Sequence, residues 1–365
     1  VKILFLYLFE ITLRFFLKKL FRIRFLLFYI LFLFNCTNSS YQPGEVKSKL
    51  TFRFATEVKP DNKVWDAARL VKENLEKGSV EDNIKEEEIK VEFYDQGMIG
   101  SDRSLLEACY FGVVEMVQVT SSVVTTIDPT FSLLDMPYLF VSEIHHKTVL
   151  DGEIGWEILN RLHRKNMQGL AFFSCGFRNL FYKGSHNEPP IRKPEDLHGK
   201  KIRVMESPIM VNSINALGAS ATPMPSSELF QALRTGVVDG AENNPRVFIA
   251  DKYYEAGCTN FTFTEHFANQ HVLIVNAKWF DSLEAKYRDR IRGVVRQIIP
   301  EYDDIWKKSV EEALVMMEKN GVRVTQIMDK QPFILRSEPV YQEFFRRYKS
   351  VPPSLLDRIR KAADR

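Results

Sequence analysis

The feature that most constrains this chain is an apolar period that switches from two to about 3.6 and back again. Leu50, Phe52 and Phe54 alternate with Thr51 and Arg53, the pattern of a half-buried strand. Pro60 and Asp61 then read as the start of a helix, with Asp61 as a candidate N-cap, and Val64, Ala68, Val71 and Leu75 recur on one helical face. A charged segment, 77–88, leads to a second alternating run at Ile89, Val91 and Phe93. Strand, helix and strand in succession make a βαβ unit, whose strands pair in parallel within one sheet.

The same logic continues downstream. Gly100 and Ser101 precede an apolar face at Leu105, Leu106 and Cys109, and Gly112 closes that helix before a strand over 115–120. A helix over 143–165 leads to a strand over 169–174, and a new start follows with a strand over 177–182. Next come a strand over 201–205, a helix over 208–217 stopped by Gly218, an extended linker at Thr222-Pro223-Met224-Pro225, and a helix from Ser226 or Ser227 to Gly236. A strand over 271–275 precedes a long helical region over 278–319 with Pro300 inside it, and a strand at 322–327 precedes the closing helices. The expected fold is α/β, with a second α/β half beginning near residue 175.

Charge narrows the function. The formal net charge of +3 comes from residues 1–36, which hold six basic residues and one acid; the remainder carries 44 basic and 46 acidic side chains. No basic surplus is left to neutralise phosphates, so nucleic acid is not expected as a partner. Lys18, Lys19, Arg22 and Arg24 followed by the apolar run 25–34 read as an export leader, too short for an ordinary membrane-spanning helix. The apolar stretch 1–17 allows a true start downstream, near Leu17, or a retained anchor. Cys36 stands where a lipidated cysteine would follow such a leader, although Asn35 replaces the usual small residue before it. Residues 37–49 read as a polar tether. Cys109, Cys175 and Cys258 form no CxxC pair and read as small buried thiols.

The segment 176–245 carries an ordered set of motifs. It reads Gly176-Phe177-Arg178-Asn179, then Pro194-Glu195-Asp196-Leu197-His198-Gly199-Lys200-Lys201-Ile202-Arg203-Val204, then Leu217-Gly218-Ala219 and Thr222-Pro223-Met224-Pro225, and ends on Gly236-Val237-Val238-Asp239-Gly240-Ala241-Glu242-Asn243-Asn244-Pro245. Upstream, Gly97-Met98-Ile99-Gly100-Ser101-Asp102-Arg103 and Leu134-Asp135-Met136-Pro137-Tyr138 agree with it. Together these motifs resemble the extracytoplasmic solute receptors of TRAP transporters, the DctP family, over about residues 50–348.

The resemblance implies a two-domain periplasmic-binding-protein-like fold with a hinge and a long helix spanning both domains. On that reading the leader is 1–36 and the linker 37–49. Domain I comprises 50–174 with 269–308, and domain II comprises 175–268 with 309–365. Hinges are expected near 172–176 and 260–270.

The resemblance also implies no enzymatic activity and no cofactor. It implies capture of a small organic acid outside the cytoplasm, a membrane permease as partner, and in some relatives a helical-repeat lipoprotein partner. Arg203 takes the role of the carboxylate-pairing arginine, Arg178 that of the second arginine, and Asn243 that of the ligand-facing asparagine. A guanidinium fork suits a carboxylate and keeps its charge at any working pH. Two positions depart from the commoner pattern and bear on the ligand's remaining shape: Glu206, where relatives often carry a neutral residue facing the cleft, and Ser226, where an aromatic is common. Phe177, Met98, Phe131 and Tyr138 are candidate cavity walls, but each reads first as ordinary core. Two other readings share the architecture: the binding protein of an ATP-driven importer, and a surface lipoprotein for sensing or adhesion. His145-His146 is not expected to hold a metal, because adjacent helical residues point about 100° apart.

Overall fold

The expected βαβ units are realised in the computed structural model as nine strands of a single sheet, described over residues 49–185 and 187–364. The leader, the tether and Cys36 lie outside the described residues. The strands are β1 (Leu50–Thr56), β2 (Ile89–Tyr94), β3 (Met116–Thr120), β4 (Met167–Tyr182), β5 (Lys201–Val204), β6 (Ser220–Pro223), β7 (Gly240–Asn243), β8 (Asn260–Asn276) and β9 (Arg323–Gln326). The helices are α1 (Trp65–Glu76), α2 (Asp102–Tyr110), α3 (Ser121–Val124), α4 (Glu143–Asp151), α5 (Glu153–Asn160), α6 (Pro208–Ala216), α7 (Ser226–Thr235), α8 (Pro245–Ala250), α9 (Ala277–Ser282), α10 (Ala285–Lys319), α11 (Gln331–Arg347) and α12 (Pro353–Lys361).

The sheet runs β2-β1-β3-β8-β4-β7-β5-β6, with β9 also on β8. Its spine is the antiparallel ribbon of β4 and β8, whose residues pair from Met167↔Asn276 to Tyr182↔Asn260. One end of the ribbon carries β3 on β8, followed by the parallel strands β1 and β2. The other end carries β7 on β4, followed by the parallel strands β5 and β6, with β9 on β8. Two parallel sub-sheets therefore hang from one shared pair of strands.

Alternation sorts each sub-sheet's side chains to two faces. Phe52, Phe54 and Met116 join one apolar cluster with α1 and most of α10, while Val117 and Val119 join another. In the second half, Phe181, Ala241 and Phe261 face one cluster, and Leu180, Tyr182, Ile202 and Val204 face the opposite one. Helix α10 spans both halves: Tyr287 to Trp306 bury in the first, and Ala313 and Met317 in the second.

Several local expectations change. The separate strands expected at 169–174 and 177–182 are one strand, β4, interrupted by a register shift between Ser174 and Phe177 where Gly176 takes φ +64°. A bulge of this kind bends and re-aims a strand without ending it. The expected hinge 260–270 is likewise part of β8. The helix over 143–165 is broken at Gly152, an extended residue that ends α4 and begins α5. α1 starts at Trp65, and Asp61 does not cap it. The long helical region divides into α9 and α10. Residues 220–223 form an edge strand, where Pro223 costs no ladder bond. The C-terminal segment, grouped by chain order with the second half, is shared: Phe333 packs there, but Val340, Phe344, Leu355 and Ile359 pack in the first-half core.

Candidate ligand-binding site

The carboxyl ends of the parallel strands converge from the two sub-sheets. Glu57 follows β1, Thr120 ends β3, Met205 follows β5 and Asn243 ends β7, and all four line one cavity of about 480 Å³. Ligands of open α/β sheets bind outside such strand ends.

Arg203 is the penultimate residue of β5. Ile202 and Val204 turn into the core, so Arg203 faces the other way, yet it is only 2% exposed. Its Nε and Nη2 both donate to the Met224 carbonyl, at 3.0 and 2.7 Å, which pins the guanidinium to the turn after β6. Nη1 has no hydrogen-bond partner, and no carboxylate pairs with Arg203, among the described residues. Burial pulls its pKa below the ordinary arginine value. A buried cation without a counter-ion is costly, and that cost disappears when an anion enters.

Arg178 sits on β4 just past the bulge and is equally buried, but its environment is complete. Nε and Nη2 reach the two Glu242 carboxylate oxygens, the Nη2 bond being 2.9 Å, and Nη2 also donates to the Glu242 carbonyl at 2.6 Å. Nη1 donates to Asn243 Oδ1 at 3.2 Å. Asn243 Oδ1 also accepts from Asn244 N at 2.9 Å, which leaves the Asn243 amide NH2 beside the cavity. Arg178 thus has its charge met within the protein and positions Asn243.

Ser226 lines the cavity from the exposed first turn of α7. Glu206 is half-buried and is not among the residues lining the cavity. Phe131 is core, Met98 is largely exposed, and Phe177 and Tyr138 pack at the edges of core clusters; none lines the cavity. His145 and His146 take different partners, the Ile359 carbonyl and Gln270 Oε1. Cys109, Cys175 and Cys258 are buried free thiols.

Sequence reasoning missed the acidic and polar wall opposite Arg203. Glu57 Oε2 accepts from Asp102 N at 2.9 Å, and Glu57 Oε1 accepts across the cleft from Ser227 N at 3.2 Å. Asp102 Oδ2 accepts from Thr120 N at 2.8 Å, whereas its Oδ1 is buried without a partner among the described residues. Burial, with the Glu57 charge beside it, pushes the Asp102 carboxyl well above the usual range. Asn269 continues that wall, whereas Phe230 and Tyr253 line the cavity from the half that carries Arg203, where the Tyr253 hydroxyl donates to Asp251 Oδ2 at 2.9 Å. The position of Glu57, Thr120 and Met205 at parallel strand ends was the available signal.

A cleft that holds one unpaired buried cation between two α/β halves has the form of a solute receptor, and comparison with known proteins agrees. Residues 54–348 match the bacterial extracellular solute-binding protein family 7. The chain belongs to this family. Family-7 proteins are solute receptors that act outside the cytoplasm, and catalysis is not their activity. The chain is 32% identical over 277 residues to the C4-dicarboxylate-binding periplasmic protein DctP of Rhodobacter capsulatus, covering 74% of this chain and 78% of that one. A TRAP periplasmic solute-binding protein from Xanthobacter autotrophicus, solved with bound β-D-galacturonate, is 32% identical with a TM-score of 0.77, over 85% of this chain and 99% of that one. One from Citrobacter koseri with bound D-glucuronate is 29% identical with a TM-score of 0.76, over 85% and 98%. The two-domain periplasmic-binding fold expected for family 7 is the fold observed. No helix among the described residues of this family-7 chain is long and apolar enough to cross a membrane.

Proposed function

We propose that this protein is the receptor of a TRAP-type secondary transporter, which captures a small organic carboxylate and delivers it to a membrane permease. The observation that carries the reading is Arg203: buried, pinned at two nitrogens to the Met224 carbonyl, and without a carboxylate partner among the described residues. The ligand carboxylate pairs with its free edge, and Asn243 donates from the side. In a closed, water-poor cleft the ion pair strengthens, because the local dielectric falls.

The first lobe is 50–174 with 269–308, joined by the C-terminal residues 340–362. The second lobe is 175–268 with 309–339. The lobes close by flexing the β4–β8 ribbon at its register shifts near 174–177 and at the facing residues of β8. Closure is supported by contacts that bridge the cleft: Glu57 to Ser227, and Arg246 Nη2 to the Asp61 carbonyl at 2.5 Å. A leader ending near Cys36 exports the chain and tethers it by a lipid or an uncleaved anchor, and a helical-repeat lipoprotein is a further partner. The uronates bound by the solved relatives and the C4-dicarboxylates named for the Rhodobacter protein are the first ligands to try.

Thermal unfolding with a panel of these acids tests the reading. A ligand at 100 times its Kd stabilises the protein by about 2.7 kcal/mol. Arg203→Ala removes most of that shift; an unchanged shift in this variant refutes the role of Arg203.

A further inference from the structure

The charges lining the cavity are unevenly matched, and that specifies the ligand further: Glu57 and Asp102 line it from the first half, and Asp251, which accepts from the Tyr253 hydroxyl, lines it from the half of Arg203. Three cations line it. Arg178 is already matched by Glu242, Lys59 is exposed at the rim near Asp251, and Arg203 alone is buried and unmatched among the described residues. Glu57 and Asp102 line the same cavity from the other lobe, joined by the Glu57 Oε2 to Asp102 N hydrogen bond. Arg203 is within electrostatic reach of both acids.

We propose that Glu57 and Asp102 are specificity-determining residues that restrict the cleft to hydroxy-monocarboxylates and exclude a second carboxylate. This deepens the receptor reading and rests on it. A ligand anchored by its carboxylate on Arg203 reaches toward Glu57 and Asp102 with its far end. Hydroxyl groups there find the Glu57 carboxylate as an acceptor and Asp102 Oδ1 as a further hydrogen-bonding atom, buried with no partner of its own among the described residues. A second carboxylate there brings a third acid beside two. The site already resists holding two adjacent charges: burial first, and the neighbouring Glu57 carboxylate after it, push the Asp102 carboxyl toward its neutral form. Glu57 cannot swing away without giving up its bonds to Asp102 N and to Ser227 N across the cleft. Selectivity is thereby tied to closure: a ligand that displaces Glu57 also removes a contact joining the lobes. Rejection by an uncompensated charge is a stronger discriminator than loss of a favourable contact.

The test uses the full-length chain and matched pairs of acids that differ in the second carboxylate: D-galacturonate with D-galactarate, D-gluconate with D-glucarate, and 4-hydroxybutyrate with succinate. Dissociation constants come from calorimetry at neutral pH. The expected result is that at least one monocarboxylate binds, and that it exceeds its dicarboxylate partner by 30-fold or more. Glu57→Gln, and separately Asp102→Asn should the first variant fail to fold, narrows that ratio at least 10-fold by gain of dicarboxylate affinity. Dicarboxylates binding the unaltered protein as tightly as their partners overturns the inference and leaves the receptor reading intact. A ratio unchanged in both variants overturns the assignment to these two residues. Absence of binding by all six acids overturns this inference, and the receptor reading falls with it only when no acid of the thermal-unfolding panel stabilises the protein either.

Discussion

Two arginines, one on β4 of the shared ribbon and one on β5, are buried to the same extent and have opposite surroundings. Arg178 has a carboxylate, a carbonyl and an amide oxygen around its guanidinium, whereas Arg203 has one carbonyl and a cavity. The comparison teaches that burial of a charge does not mark a binding site; the missing counter-charge does. An ion pair complete within the protein holds structure, and an incomplete one is completed by a ligand. The largest expected effect follows from breaking the complete pair. Glu242→Ala leaves Arg178 buried without a counter-ion, which costs about 3–5 kcal/mol of stability. Urea unfolding of the apo-protein measures it. A cost below about 1 kcal/mol would mean that the pair is not structural.

Arg203→Met is the counterpart. It removes a costly uncompensated charge together with two hydrogen bonds to the Met224 carbonyl, opposing changes that leave apo stability little altered, while ligand affinity falls by about 2–5 kcal/mol. Calorimetry alongside urea unfolding separates the two outcomes. Loss of both stability and binding would erase the distinction between the arginines.

A third prediction extends the contrast to an acid. Asp135 is buried beside Ser122 and Ser207, and neither carboxylate oxygen has a partner in hydrogen-bonding geometry among the described residues, in contrast to Glu242. Burial pushes its pKa up to about 7, only partly opposed by the nearby Ser122 and Arg178. A carboxyl whose folded pKa exceeds its unfolded value stabilises below the unfolded pKa, and that contribution is lost as pH rises through the folded one. From pH 5 to pH 7 the unaltered protein therefore loses about 2 kcal/mol relative to Asp135→Asn. His146, His266 and His271 act in the opposite direction: burial holds them near 4, 3 and 3, so both proteins lose stability as pH falls below the unfolded histidine value. The difference between variant and parent across pH isolates Asp135. A difference that stays flat with pH removes the assignment.

Most of the architecture was legible because the apolar period reports burial directly. Leu50, Phe52 and Phe54 alternate on β1, and Ile202 and Val204 bracket Arg203 on β5, as their spacing predicts. The β4–β8 ribbon was not legible. Both strands are buried on both faces, so their alternation vanishes, and Gly176 reads as a terminator although it marks a bulge. The arginine and asparagine of the cleft came from motif order. Glu57 and Asp102 were missed because their role depends on the end of β1 and the first residue of α2, 45 residues apart, meeting across one hydrogen bond. No local pattern encodes such a meeting.

The smallest expected effect sharpens the line between lining and neighbouring residues. Glu206 follows Arg203 by three positions and was expected to face the ligand. After β5 the chain turns: Met205 lines the cavity, Ser207 N bonds back to the Met205 carbonyl at 2.7 Å, and Pro208 begins α6. Glu206 is carried out of the lining by that turn. Glu206→Gln therefore changes ligand affinity by less than about 0.5 kcal/mol, the range of substitutions remote from a site. Asn243→Ala, by contrast, costs about 1 kcal/mol or more, since it removes both a ligand donor and the acceptor for Arg178. Calorimetry on the two variants with one ligand measures both. Equal losses at Glu206 and Asn243 would place the ligand deeper along β5 than the cavity walls allow, and the contrast between Arg203 and Arg178 would then have to be redrawn around a different anchor.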